Sequence, residues 1–142
     1  MAIYSIAVRT TNVTIANAAV EFRAVRRVDI LEINVFSTAA TAATFGFGRP
    51  ANVPAGGTIN LGQAEDPNAA VTTSGLVISG QTTAPTVPAN FMQRVHFPGQ
   101  IGAGIMLTWP ERGGLRLAAG TSFVVWNITA SPLCDITFRF DD

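Results

Sequence analysis

Alternation of apolar and polar residues with a period of two is the dominant signal along this chain. It is cleanest near the C-terminus, where Cys134, Ile136, Phe138 and Phe140 fall on one face of an extended segment and Asp135, Thr137, Arg139 and Asp141 on the other. That pattern predicts a half-buried strand. From Val28 to Phe36 it places Leu31, Ile33 and Val35 on one side and Ile30, Glu32, Asn34 and Phe36 on the other, a mixed set that predicts a strand covered on both faces. Further strand candidates are Ile3 to Arg9, Val13 to Ile15, Ala19 to Val25, Val71 to Ile78, Met92 to Phe97, Ile105 to Trp109, Leu115 to Leu117 and Ser122 to Ile128. Helix is not expected, because Gly, Pro or clustered β-branched residues interrupt every apolar period of three to four. The Ala-rich run Thr38 to Thr44 is no exception: its spaced threonines disfavour helix, and it leads into the strand-like Phe45-Gly46-Phe47, so an extended segment is expected.

Turn signals separate these segments at Asn52 to Gly57, Asp66-Pro67-Asn68, Pro98-Gly99, Arg112-Gly113-Gly114 and Ala119-Gly120. Short strands at such spacing predict an all-β, antiparallel fold, a sandwich or a barrel, with about eight to ten strands and little or no helix. The 142 residues suffice for a single domain spanning 1–142. Ser79 to Asn90, with Pro85 and Pro88, is expected to be a long connection within it, because the piece that follows is too short to fold alone. The first dozen residues form either the first strand of this sheet or, through Ile3, Ile6 and Val8, an arm that adds to a neighbour's edge.

Charge changes the picture. Nine arginines, no lysine and nine acids leave a net charge of zero and only 13% charged residues, about half the usual share. A lone monomer so composed has few means of staying soluble, so part of its surface is expected to be shared with a partner. No apolar run approaches the roughly 20 residues of a membrane span, and no membrane partner is expected. Arg9 interrupts the N-terminal apolar stretch, so no secretory signal is expected either. Asn12-Val13-Thr14 and Asn127-Ile128-Thr129 fit the glycosylation pattern but are expected to be strand residues that match it by chance.

Candidate chemistry is sparse. One histidine (His96), one cysteine (Cys134) and no lysine remove most combinations of nucleophile, base and metal ligand, and the scattered acids do not suggest a paired-carboxylate site. No enzyme activity, cofactor or metal is expected. His96 is expected to be structural, and Glu65-Asp66-Pro67-Asn68 a solvated turn lacking the spacing of a calcium loop. Gly46-Phe47-Gly48-Arg49-Pro50 and Gly99 to Gly104 imitate phosphate loops, but no helix follows either; both are expected to be turns and bends. Arg23, Arg26 and Arg27 form the densest basic group, yet Glu21, Asp29 and Glu32 flank it. Mutual ion pairing rather than nucleic-acid binding is therefore expected.

The remaining candidates are interfaces. Phe45 and Phe47 beside Arg49, and Trp109 beside Glu111 and Arg112, combine aromatic area with forked donors, as protein interfaces do, although aromatics beside a turn also serve as core. With Arg23, Arg26 and Arg27 they make up the candidate contact set. A rival is a carbohydrate-binding sandwich in which Trp109 or Trp126 stacks on a sugar and Asn127, Asp66 or Glu111 accepts from its hydroxyls.

Leu31 to Phe36, the run Thr41 to Pro50, Ile101 to Ile105, and the closing passage Leu115 to Asn127 with its Ala-Gly-Thr turn together resemble small virion proteins of tailed bacteriophages. The resemblance spans roughly 28 to 140. It implies a capsid decoration, or cement, protein of jelly-roll type: a homotrimer, made in the host cytoplasm, that binds the major capsid protein on the exterior of the head and fastens capsomers together. A tail or fibre component would share these motifs, and no functional residue of the family maps onto this chain individually.

Overall fold

The computed structural model describes residues 2–10, 18–52, 55–83, 85–109, 114–129 and 133–142. These contain eleven strands and no helix: β1 (Ile3–Arg9), β2 (Ala18–Ala24), β3 (Val28–Ser37), β4 (Ala43–Gly48), β5 (Thr58–Ala64), β6 (Thr72–Ser79), β7 (Gln93–Phe97), β8 (Gly104–Thr108), β9 (Leu115–Leu117), β10 (Ser122–Asn127) and β11 (Cys134–Asp141). Every pairing is antiparallel, and one continuous order, β7-β4-β10-β2-β6-β5-β1-β11-β3-β8, curls back on itself as a sandwich.

The connectivity identifies the architecture. β8 and β9 both pair with β3, at Glu32 to Phe36 and at Val28 to Ile30, so they are one edge strand interrupted after Trp109. One sheet is then β1-β11-β3-β8/β9 and the other β2-β10-β4-β7. The chain visits them alternately, except at the step from β4 to β7, and that is a jelly roll. The hairpin β5–β6, inserted between β4 and β7, pairs with both β2 and β1 and closes one flank of the sandwich. On the opposite flank β7 and β8 remain as free edges among the described residues.

Alternation places the core as expected: Cys134, Ile136, Phe138 and Phe140 have no exposed surface. Phe22 lies edge-on to Phe140 at 5.0 Å and tilted against Phe138 at 5.3 Å, while Tyr4 stacks on Phe140. The rings crowd β6 so closely that a Cβ on Gly75 would fall 2.6 Å from Phe22 and 2.8 Å from Phe140. Glycine is the residue that fits there.

β3 departs from strict alternation. Glu32 faces Arg139 but Ile30 faces Phe140, so Leu31 is an extra residue, a β-bulge that turns Ile30 and Ile33 to the same buried face. The bulge lies where the partner edge breaks: Trp109 N donates to Leu31 O, and Gly114, at φ +61°, sits against the Ile30 carbonyl. The outer face of β3 is not covered, as expected from sequence, but open: Glu32 and Asn34 are half-buried and Phe36 is 42% exposed.

Two further expectations are corrected. Gly46 to Gly48 belong to β4 rather than to a turn, with the Phe91 ring packed against Gly46 where a side chain would stand. Thr38 to Ala42 are bends and irregular chain rather than strand. Ile3 to Arg9 is a strand of the domain's own sheet, paired along its length with β11 and at Tyr4 and Ser5 with β5. Val13 to Ile15 lies outside the described residues.

Candidate functional site

At one end of the sandwich β2, β4 and β9 finish and β3, β6 and β10 begin, and the chain brings most of its arginines there. The turn Val25-Arg26-Arg27 is tied down through Val25 N and Arg26 N, which both donate to Ser74 O, while Gly120 N donates to Ala24 O. Arg23 donates through Nε and Nη2 to Glu21 at 2.9 and 3.0 Å. Glu21 has no exposed surface and also accepts from Ser122 Oγ at 2.5 Å. This carboxylate is therefore saturated, as a buried charge must be. Arg116 pairs with Asp29, its cross-strand partner, and its carbonyl accepts from Arg49 Nη2.

The expected mutual pairing thus holds for Arg23 alone of its group. Arg26 and Arg27 are exposed, with no carboxylate within ion-pair distance among the described residues. Beside them a shallow cleft of 290 Å³ is lined by Arg49, Asn52, Thr121 and Ser122 together with Pro50, Ala51, Ala118 and Gly120. Its hydroxyls are already engaged, Thr121 with Ala118 O and Ser122 with Glu21. The carboxylate that Ser122 meets is itself held by Arg23 through two hydrogen bonds, and the cleft presents the guanidinium of Arg49 and the amide of Asn52.

The aromatic candidates are placed differently. Phe45 and Phe47 are wholly buried, Phe45 against Phe97, and present nothing to a partner. Trp109 is half-buried and points inward, edge-on to Phe123 at 6.3 Å. Arg112 and Glu111 lie outside the described residues. Trp126 has no exposed surface; it sits on the outer side of its sheet under Phe91, whose ring also carries Arg94 at 5.9 Å. Neither tryptophan is a platform open to a sugar in this conformation.

His96 meets Thr44 Oγ1 through Nδ1 at 3.1 Å on the edge strand. Glu65 is taken by Arg139 and Ser5, which hold its carboxyl below the ordinary range, and Asp66 closes its own turn by accepting from Asn68 N. Among the described residues no three His, Cys, Asp or Glu side chains converge on a metal position. Burial raises the Cys134 thiol to about 12, which keeps it un-ionised and unreactive at neutral pH. Asn127 is also buried, out of reach of a glycan.

The surfaces that sequence reasoning missed are apolar. Phe36, Ile101 and Met106 are exposed around the β3–β8 edge, with Leu133 beside the start of β11. Ile59, Leu61 and Val71 are exposed on the β5–β6 hairpin. The signal for the first group was present in the phase of β3, which sets Phe36 opposite Ile33 and Val35. No protein-family model, curated protein or solved structure matches the chain.

Proposed function

We propose that this chain is a structural virion protein that binds the outer surface of a phage capsid as a homotrimer and stabilises contacts between neighbouring capsomers. The observation that carries the proposal is the pair of separate exposed apolar patches on one rigid jelly roll. A single patch serves a single partner; two patches on one body bridge two. From β5 to β8 the sheet runs through β1, β11 and β3, four strand spacings or about 19 Å, so the hairpin patch and the β3–β8 patch address different neighbours. The low charge of the chain and its net neutrality favour surfaces that remain buried after assembly.

A carbohydrate-binding sandwich is the weaker reading, because Trp126 is buried and Trp109 faces the core. The test is co-sedimentation of the purified protein with capsid shells and, separately, with tails of the phage that encodes it. Saturable binding to shells that raises their resistance to disruption is expected, and Leu61→Asp combined with Ile59→Asp should weaken it at least about tenfold by removing apolar contact. Binding to tails alone, or to a glycan with no affinity for shells, contradicts the proposal.

A further inference from the structure

We propose that the flank left open between β7 and β8 is the self-association surface, β8 of one protomer pairing antiparallel with β7 of the next to close a ring. The inference deepens the trimer element of the proposed function and rests on that element, not on the capsid role.

Hydrogen-bond phase shows which groups are free. Ser37 N donates to Ala103 O and Trp109 N to Leu31 O, so the odd positions of β8 turn toward β3 and the backbone groups of Gly104, Met106 and Thr108 turn outward. On β4, Thr44 O accepts from Ile128 N, so its even positions serve β10 and its odd ones serve β7. Arg94 and His96 therefore direct their backbone groups away from the sheet. Neither edge has a partner strand among the described residues. β8 also lacks the charged residue or proline that usually protects such an edge.

Between the two edges the core is incompletely covered. Val95 from β7, Ile105 and Leu107 from β8, and Trp109 all pack on the core but keep part of their surface exposed. On the opposite flank the β5–β6 hairpin joins the two sheets, pairing with β2 over five residues and with β1 at Tyr4 and Ser5.

Direction and charge point to a second copy. Strands alternate along the whole order from β7 to β8, so these two edges run antiparallel. A rotation axis along the strands preserves that relation and lays β8 against the β7 of a neighbour. On the outer face near β8 stands Glu32, opposite Thr108. It accepts from Asn34 Nδ2 and feels the charge of its cross-strand neighbour Arg139, but among the described residues no basic group lies within ion-pair distance of it. On the outer face of β7 stands Arg94, exposed, stacked on Phe91 and with no carboxylate at ion-pair distance among the described residues. Joining the edges brings these opposite charges to one surface, and the half-covered apolar seam beneath them is removed from water.

Sedimentation of the full chain tests this. The mass of three protomers is expected at tens of micromolar. Met106→Pro, which removes only an outward N–H, should reduce it to one while leaving the circular dichroism of the sandwich unchanged. Arg94→Glu and Glu32→Arg should each raise the dissociation constant about tenfold, and the double exchange should restore it to within about threefold. The charge exchange decides the matter even if the proline variant fails to fold. A monodisperse monomer, or an oligomer indifferent to the charge exchange, overturns the inference. A trimer that obeys it yet ignores capsid shells leaves the inference standing and removes the capsid reading alone.

Discussion

Gly75 shows how little freedom the core leaves. Its missing side chain admits the rings of Phe22 and Phe140, so both sheets approach each other at β6 without a gap. Gly75→Ala should cost about 1–3 kcal/mol in denaturant unfolding, since neither ring can withdraw from a filled interior. A change near zero would mean that the aromatic cluster packs more loosely than the geometry allows. Glu21 follows the opposite logic: a carboxylate buried on the outer side of its sheet, where Arg23 and Ser122 satisfy it. Sequence revealed the neighbouring charges but not this arrangement, because pairing at i and i+2 within β2 depends on both side chains leaving the same face of a strand.

At the scale of elements, alternation sufficed wherever one face is core and the other solvent, as in β1 and β11. It failed in two informative places. In β5, Ile59 and Leu61 point outward and the buried position is Gly62, so the apolar phase is inverted and no strand was expected there. In β3 the Leu31 bulge shifts the phase by one residue, which no fixed period can accommodate. Of the candidate contact set, a Phe-Gly-Phe run looks the same at a rim as beneath one, so the sequence left both readings of Phe45 and Phe47 open and the buried one is found. β1 and β11 also contribute a small acid-sensitive component through two surface pairs. Arg9 lowers the Asp135 carboxyl by direct hydrogen bonding, and Arg139 with Ser5 lowers that of Glu65. A carboxyl lowered in the folded state stabilises it above the ordinary values of 3.8 and 4.5, and that contribution disappears as pH falls through the lowered values. The urea midpoint should therefore respond little to these pairs between about pH 7 and 5 and decline below about pH 4. Asp135→Asn with Glu65→Gln should make that decline shallower, and an unchanged slope would show that the pairs contribute nothing.

At the scale of the molecule, a jelly roll closed on one flank and open on the other is an incomplete surface. The hairpin supplies an apolar patch on one side, while on the other β7 and β8 are unpaired edges among the described residues. In the proposed assembly these edges, rather than the cleft beside Arg49, carry the contact between copies. Amide hydrogen exchange at Met106 tests this most directly, with Ile105 and Leu107, bonded to β3, as internal references. The account expects the Met106 amide to be protected to a similar degree as its neighbours, increasingly so with protein concentration. Exchange at Met106 at the rate of a free edge at every concentration, while Ile105 and Leu107 stay protected, contradicts it.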